Sequence, residues 1–227
     1  MSNDIIKEKH QNPILFGGGR RYFVKTPWWL KKIYSSCIWS IDTNEKRLYL
    51  SFDDGPHPEA TPFVLEQLRG YNAKATFFCI GKNVVDHPEL YKQIIDEGHS
   101  VGNHTQNHLN GWKTRDDIYL GDVQAAKEHI KSQLFRPPYG RMNKAQRKGV
   151  MNRLGDGARI IMWSVLSGDF DKSISLDRCV DNVISNSYPG AIVVFHDSEK
   201  AFSNLRYALP RVLKYYSEKG YSLDAIK

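Results

Sequence analysis

The residues best suited to chemistry begin with two adjacent carboxylates, Asp53 and Asp54, within the stretch SFDDGPH. An alternating aromatic and branched segment over 47–52 predicts a β-strand before them, and the following Gly-Pro predicts a turn. At a strand end both carboxylates can turn into one cleft, where their repulsion favours separate roles as metal ligand and base. A bare Asp-Asp pair is more often a capping pair in a surface turn, so residues elsewhere must decide.

Two histidines, His104 and His108, are spaced four residues apart. On one helical turn this spacing places both imidazoles on the same side, at a workable bite for one metal ion. Alone, the pattern is more often two solvated loop histidines. With a carboxylate from the Asp-Asp pair it describes a catalytic metal site with open coordination positions. We expect one divalent metal, with zinc suiting these ligands best and cobalt, nickel, manganese or iron compatible with the same ligand types.

The elements that must position these residues alternate between strand and helix from residue 46 onward. The apolar and β-branched runs predict strands at 47–52, 75–80, 99–103, 134–138, 159–165 and 191–196. Helical spacing and caps predict helices at 60–69, 87–97, 115–133, 143–154, 176–187 and 203–219. Such βα repeats predict an α/β fold with a parallel sheet and outer helices, either doubly wound or a barrel. The first βα turn lacks a Gly-rich dinucleotide signature, which disfavours a nucleotide-binding fold.

Titratable residues follow the same end of five predicted strands. They are Asp53-Asp54, His104 with His108, Arg136, Asp169 and His196. In a barrel, the carboxyl ends of the strands carry the chemistry. This one-ended distribution favours a site over scattered surface polarity.

Composition bounds the partners. The 227 residues fit one domain, and the formal net charge is +7. Residues 1–47 hold nine Lys/Arg against four Asp/Glu, so most of the excess lies before the first strand. We therefore expect no nucleic-acid partner, while attraction to an anionic membrane or cell-wall surface stays open. The start shows no secretory signal and no run long enough to span a membrane, so we expect a cytoplasmic or peripheral membrane-associated protein.

Residues 26–41 are apolar and aromatic with interspersed lysines. One interpretation is an amphipathic helix lying on a membrane surface. The interpretation we favour is a short helix that closes one end of the domain and buries its tryptophans.

Five segments carry a resemblance to a known family. The stretches SFDDGPH, HTQNH, RPPYG, WSVLSGDF and VFH occur in the order of the five motifs of the carbohydrate esterase family 4 polysaccharide deacetylases, the NodB-homology domain. The resemblance covers roughly residues 46–200. It implies a distorted (β/α)7 barrel related to the TIM barrel over 46–227. From composition we expect a basic and aromatic leader over 1–45 that is partly flexible and partly packed on the barrel, and we expect the protein to act as a monomer.

The resemblance also implies roles. Asp53 would be the general base, oriented by Arg136, and Asp54 would ligate the metal with His104 and His108. His196 would be the general acid, with Asp169 as its partner.

The loop of Pro138 and Tyr139 would offer a backbone N–H to the oxyanion, and Phe170 and Val194 would line the substrate and acetyl pockets. Trp112 would either stack on a sugar ring or pack as an ordinary loop aromatic.

The sequence departs from the family pattern at three of these positions. Leu166 stands where an Asp is frequent, Phe170 where a Trp is frequent, and Val194 where a Leu is common. The Phe170 change alters the wall of the substrate groove. Outside the motifs, we expect Asp197 to cap the following helix. We expect His57, His87, His99 and His129 to be solvated or core residues.

The implied function is metal-dependent hydrolysis of N-acetyl groups on N-acetylglucosamine-containing glycans, either peptidoglycan or chitin-like. The alternatives are an O-acetyl esterase acting on xylan and, ranked lower, a catalytically silent glycan-binding protein. A two-metal phosphoesterase would need more ligands than the sequence offers.

Overall fold

The computed structural model describes residues 22–227. In this part of the chain, seven parallel strands form a row in the order β5-β4-β3-β2-β1-β7-β6, and an eighth pairs with the start of β1. The strands are β1 (Arg47–Asp53), β2 (Thr76–Cys79), β3 (Ser100–Asn103), β4 (Leu134–Phe135), β5 (Arg159–Ile160), β6 (Val165–Leu166), β7 (Ile192–His196) and β8 (Ser222–Leu223). The row curves into a half-barrel, which confirms the predicted distorted (β/α)7 barrel.

Within residues 22–227, eight helices accompany the strands. They are α1 (Trp28–Ile33), α2 (Ala60–Gly70), α3 (Gly81–Asp86), α4 (Pro88–Asp96), α5 (Asp116–His129), α6 (Lys144–Leu154), α7 (Leu176–Ile184) and α8 (Phe202–Glu218). All six predicted helices are present within a few residues of their expected bounds. Helix α3 and strand β8 were not predicted, because each is too short to show a periodicity. None of the helices within residues 22–227 is long and apolar enough to cross a membrane.

Strand β1 lies at the centre of the sheet, between β2 and β7. Its side chains alternate between two environments, as a pleated strand requires. Leu50 and Phe52 belong to the large apolar cluster shared with the outer helices. Tyr49 belongs to a smaller cluster inside the curve of the sheet. Asp53 lies four residues after Tyr49, and residues separated by an even number of positions in a strand lie on the same face. Asp53 therefore points into the barrel interior.

The gap between the edge strands β5 and β6 is lined by the segment 22–41. Ile38 bridges Ile161 in parallel fashion, and Lys25 bridges Val165 in antiparallel fashion. The single strand predicted over 159–165 is therefore wrong, since the chain crosses from β5 at one edge to β6 at the other. A continuous apolar run carries no signal for that crossing. The division of the chain at residue 46 stays a prediction.

The interpretation favoured for residues 26–41 is only partly correct. Trp39 is buried with 7% exposure, but Trp28 is 74% and Trp29 is 44% exposed. Helix α1 itself contains no buried residue. The segment closes the barrel gap through residues around Ile38 and Trp39, whereas the two tryptophans of the helix face outward.

Candidate active site

The two residues predicted to move protons lie side by side. Asp53 ends β1 and His196 ends β7, and these positions are paired in the register of the two parallel strands. The backbone N–H of Asp197 also donates to the carbonyl of Asp53 at 3.0 Å. Two residues that are 143 positions apart thus reach one cleft because their strands are neighbours.

Arg136 orients Asp53 from beneath the cleft. Its Nη1 donates to Oδ1 of Asp53 at 2.6 Å and to the hydroxyl of Ser51 at 2.8 Å. Its Nε and Nη2 donate to the carbonyls of Ile161 and Met162, each at 3.1 Å. The guanidinium lies 4.0 Å from the ring centroid of Phe78. Four of the five N–H donors of the guanidinium are therefore occupied, which fixes the carboxylate it holds.

The Arg136–Asp53 ion pair is buried, with Arg136 at 0% and Asp53 at 4% exposure. Burial lowers the pKa of Arg136, and the charge and hydrogen bond of Asp53 oppose that effect. Loss of one partner would leave an uncompensated buried charge, which costs about 3–5 kcal/mol of unfolding free energy.

Asp169 orients His196 through two hydrogen bonds. Its Oδ1 lies 2.7 Å from Nδ1 of the ring, and its Oδ2 accepts from the backbone N–H of His196 at 2.7 Å. A carboxylate oxygen accepts, so Nδ1 carries the proton and Nε2 is left for chemistry. Asp169 is itself fixed, since its carbonyl accepts from the amide of Asn204 at 3.0 Å.

The pKa of His196 is raised to about 9. Burial alone would lower it, but the charge and hydrogen bond of Asp169 raise it, with smaller contributions from Asp54 and Asp53. His196 is therefore an imidazolium at neutral pH, the protonated form that a general acid requires.

Asp54, His104 and His108 converge on one point, and they could hold a metal ion. One ligand atom from each lies within 4.8 Å of the others. Oδ1 of Asp54 is 3.2 Å from Nε2 of His108 and 3.6 Å from Nε2 of His104. Among residues 22–227, this buried oxygen has no hydrogen-bond partner. An orphaned carboxylate oxygen facing two imidazole nitrogens fits a divalent cation.

His104 presents the correct nitrogen for a metal. Nδ1 of His104 lies 2.7 Å from the carbonyl of Arg136 and must donate to it, which leaves Nε2 with a free lone pair. Burial lowers the pKa of His104 to about 4, so its imidazole is neutral at physiological pH. Burial alone would raise the pKa of Asp54, but the nearby His108 and the charge of His196 lower it below its usual range. Both groups are thus in the form that ligates.

The histidine pair does not lie on a helical turn, and that expectation is wrong. Both residues follow β3 in a loop, where Thr105 and His108 have φ values of 66° and 56°. Asp122 on α5 fixes the loop by accepting from the backbone N–H groups of Gln106 and Asn107 at 3.0 and 2.9 Å. Sequence reasoning missed Asp122, although an acid on the apolar side of a predicted helix was a usable signal.

Asp197 was also misjudged. Helix α8 has no side-chain cap, and the Asp197 carboxylate instead accepts from the N–H of Gly55 at 3.1 Å and the hydroxyl of Thr61 at 2.6 Å. Burial is the main cause that raises the pKa of Asp197 to about 8, and the charge of Asp54 adds to it. A Cβ on Gly55 would lie 2.0 Å from this carboxylate, so only glycine fits. Asp197 therefore ties the turn after Asp53 and Asp54 to the strand that carries His196.

Pro138 and Tyr139 form a tight turn after β4 beside the metal-ligand cluster. Tyr139 has φ 60° and is 59% exposed, and its ring centroid lies 4.6 Å from that of His108. Pro138 is buried. The structure thus places this loop against a predicted ligand, and its role toward an oxyanion stays a prediction.

Phe170 and Val194 lie next to the acid. The Phe170 ring packs edge-on against His196 and against Tyr22, each at 5.1 Å between centroids. Phe170 also borders an open depression with Asp171, Lys172, Ser173 and Lys200. Val194 is fully buried in β7, two residues before His196.

Trp112 is held by contacts with the segment of Arg141 and Met142. Its indole N–H donates to the carbonyl of Met142 at 3.3 Å, and Arg141 lies over its ring at 5.1 Å. The side chain is 60% exposed, so an open aromatic face remains beside these contacts. Sugar stacking by Trp112 stays a prediction.

Two of the other histidines have structural roles within the described chain. Nδ1 of His57 accepts from the backbone N–H of Ala60 at 3.2 Å, at the start of α2. His99 is buried and accepts from Ala75 at 3.2 Å, and burial lowers its pKa to about 4.

Comparison with known proteins places this geometry in a family context. Residues 40–155 match the sequence profile of the polysaccharide deacetylases. A peptidoglycan-N-acetylglucosamine deacetylase of Bacillus cereus is 36% identical over 189 residues, covering 81% of this chain and 87% of the relative. A chitooligosaccharide deacetylase of Azorhizobium caulinodans is 35% identical, covering 69% and 76%. The crystal structure of a peptidoglycan N-acetylglucosamine deacetylase superposes with a TM-score of 0.79 and 31% identity, over 88% of this chain and 95% of that one.

Proposed function

The chain belongs to the polysaccharide deacetylase family, and from its site we propose that it hydrolyses N-acetyl groups of N-acetylglucosamine-containing glycans with one divalent cation, zinc being the best fit. Its relatives are named as deacetylases of peptidoglycan and chitooligosaccharide. The observation that carries the proposal is the pairing in register of an oriented carboxylate and an oriented imidazolium, Asp53 and His196, beside a three-residue ligand cluster.

Asp54, His104 and His108 would hold the cation. When bound there, it supplies Lewis-acid polarisation of the acetyl carbonyl and lowers the pKa of a water molecule. The three residues leave coordination positions for substrate and water, as a catalytic site requires.

Asp53 acts as the general base. Its Oδ1 is occupied by Arg136, so Oδ2 is available to take the proton of the attacking water. The guanidinium of Arg136 pairs with the Asp53 carboxylate and fixes its direction. The base is thus ready without any rearrangement of the side chain.

His196 acts as the general acid. An amine is a poor leaving group unless it is protonated as the carbon–nitrogen bond breaks. Asp169 holds Nδ1 and leaves Nε2 of the imidazolium to give up that proton. The raised pKa keeps this proton in place across the neutral range. An acid of this kind serves an amide more than an ester, whose alkoxide leaving group departs more readily.

The Tyr139 loop completes the site. A backbone N–H directed at the developing oxyanion would lower the barrier by about 3–4 kcal/mol. The contact between Tyr139 and His108 would keep that donor in register with the cation. Phe170 would form the wall of the groove next to the leaving amine.

The proposed site is complete within a single chain. Base, acid, ligands and loop all come from one chain, which supports action as a monomer. The presence of Asp53, His196 and the complete ligand cluster opposes a silent glycan-binding protein.

The deciding experiment measures acetate release by metal-stripped protein reloaded with zinc, cobalt, nickel, manganese or iron. The substrates are chito-oligomers, peptidoglycan and acetylated xylan, with Asp53→Asn as the inactive control. We expect metal-dependent release from the two N-acetylated substrates. Release from xylan alone would make the protein an O-acetyl esterase, and glycan binding without release from any substrate would make it a silent binder.

A further inference from the structure

Four large apolar side chains near the start of the described chain face solvent together. We call them the aromatic patch: Phe23, Trp28, Trp29 and Ile33, which are 50%, 74%, 44% and 64% exposed. The ring centroids of Phe23 and Trp29 lie 6.2 Å apart in an edge-on contact. Exposed apolar side chains that cluster in this way mark an interaction surface, whereas single ones do not.

The aromatic patch is held rigidly on the protein. Leu30 and Tyr34 pack from the inner side of α1 against the buried cluster that includes Trp39 and Val150. Lys31 donates to the hydroxyl of Tyr188 at 3.0 Å. The helix is therefore fixed in place, and its outward side chains are displayed by the fold.

The two segments that flank the aromatic patch are basic, and one acid lies beside it, Asp171, which accepts from the hydroxyl of Tyr22 at 2.7 Å. Residues 22–41 contain Lys25, Lys31 and Lys32 and no acidic residue. Helix α6 adds Lys144, Arg147, Lys148 and Arg153, again without an acid. The two groups adjoin, because the Arg147 guanidinium lies 5.8 Å from the ring centroid of Tyr34.

We propose that the aromatic patch docks the enzyme onto an anionic phospholipid bilayer. Tryptophan and phenylalanine side chains enter the boundary between headgroups and acyl chains, and the surrounding lysines and arginines pair with the anionic headgroups. A second copy of the chain is a poor occupant, since it would bring two basic surfaces together. Residues 1–21 are a poor occupant as well, with four Lys/Arg against two Asp/Glu.

Docking would bring the substrate groove close to the bilayer. Tyr22, the neighbour of Phe23, packs on Phe170, which in turn packs on His196. The lipid contact therefore begins beside the wall of the groove. Docking through the aromatic patch would favour glycan that lies close to a membrane. This holds whether the enzyme removes N-acetyl or O-acetyl groups.

The test is co-sedimentation of the full chain with vesicles. We use equal parts phosphatidylglycerol and phosphatidylcholine, with pure phosphatidylcholine for comparison. We expect binding to the anionic vesicles, a weaker signal on pure phosphatidylcholine, and a blue shift of tryptophan fluorescence on binding. Raising the salt from 0.1 to 0.5 M should weaken binding, because it screens the headgroup attraction.

Two variants separate the apolar and basic contributions. Trp28→Ser with Trp29→Ser should lower the partition coefficient roughly tenfold or more, by removing apolar area that enters the bilayer. Lys25→Gln with Lys32→Gln should lower it about fivefold for each lysine. The matched controls are Ile95→Ser with Ile118→Ser, whose side chains are 45% and 52% exposed elsewhere, and Lys214→Gln on α8. All variants should keep their turnover of a soluble chito-oligomer.

Several results would overturn the proposal. One is the absence of binding to anionic vesicles. Another is binding that needs the lysines but survives loss of both tryptophans. A further one is equally tight binding to a soluble anionic cell-wall polymer. Either result would mean that the surface binds anionic polymers by charge alone. The last is a fluorescence spectrum that is already blue-shifted without vesicles and insensitive to Trp28→Ser with Trp29→Ser, which would mean the chain itself covers the aromatic patch.

Discussion

On each side of the candidate cleft, a buried charged residue holds a proposed proton-transfer residue of the opposite charge. On one side Arg136 holds the carboxylate of Asp53, and on the other Asp169 holds the imidazole of His196. Both supporting residues have 0% exposure, and both make several hydrogen bonds. The difference is that a guanidinium keeps its charge at every accessible pH, whereas an imidazole titrates. The proposed base is therefore held in a fixed ion pair, and the proposed acid in an adjustable one.

Removal of the base tests the fixed side most directly. Asp53→Asn keeps the size of the side chain and its bond to Arg136 but cannot take a proton. We expect turnover of a chito-oligomer to fall roughly 10²–10⁴-fold, the contribution typical of a general base. Metal content, measured on the dialysed protein, should stay at the level of the unmodified enzyme.

The matched variant is Asp54→Ala, which should lose metal while keeping the Arg136–Asp53 pair. Near-full turnover of Asp53→Asn with metal bound would end the assignment of Asp53 as the base. Metal loss from Asp53→Asn equal to that from Asp54→Ala would show that the two carboxylates do not divide their roles.

The second prediction concerns the stability of the fixed ion pair. Arg136→Met leaves a buried carboxylate with no cation, and we expect the free energy of unfolding to fall by about 3–5 kcal/mol. Urea unfolding at pH 7 measures the change. The double variant Arg136→Met with Asp53→Leu should recover most of that loss, because no buried charge remains. A cost below about 1 kcal/mol for Arg136→Met alone would mean that Asp53 finds another partner or a proton.

The third prediction concerns the adjustable side. Asp169→Asn removes the main cause that raises the pKa of His196 to about 9. The pKa should fall to or below its ordinary value of about 6.5. Because the acid must be protonated, activity should decline on the alkaline side near pH 9 in the unmodified enzyme and near pH 6.5 or below in the variant. At pH 8 the protonated fraction of His196 is then about 30-fold higher in the unmodified enzyme than in Asp169→Asn.

A pH–rate profile of kcat/KM measures this shift, and a variant whose alkaline limb stays near pH 9 would show that Asp169 does not set the pKa. Stability offers a second readout. The pKa of His196 is higher in the folded protein than in the unfolded chain, so protonation of His196 stabilises the fold. This contribution is complete below about pH 6.5 and is lost as the pH rises through 9. The variant should therefore lack the loss of stability that the unmodified enzyme shows across this window.

The two sides also differ in how far the sequence alone could predict them. The strand ends predicted which residues meet, since Asp53, His104, Arg136, Asp169 and His196 each follow a strand of one parallel sheet. The local geometry could not be predicted in the same way. The His104–His108 spacing suits a helical turn, but two positive φ values and the bonds to Asp122 make it a loop. The crossing between β5 and β6 and the outward tryptophans of α1 depend on packing with distant segments, which periodicity does not encode.

The smallest predicted effect concerns Asp197, which links the two sides. Its backbone N–H donates to the carbonyl of Asp53, and its carboxyl group accepts from Gly55 and Thr61. Its neighbour in sequence is His196, the proposed acid. Asp197→Ala removes the oxygens that accept from the N–H of Gly55 and from the hydroxyl of Thr61. We expect a loss of about 1–3 kcal/mol in the free energy of unfolding, the cost of one unsatisfied buried polar group.

Because the turn that presents both aspartates loosens, metal affinity and turnover should fall together, and the alkaline limb of the pH profile should stay near pH 9. This separates a positioning role from a proton-transfer role, which would move the limb. The matched control is Thr61→Val, which removes one hydrogen bond to the same carboxylate and should reproduce a smaller version of the same losses. If Asp197→Ala left metal affinity unchanged, Asp53 and Asp54 would be held by β1 alone, and the two sides of the cleft would be independent of each other.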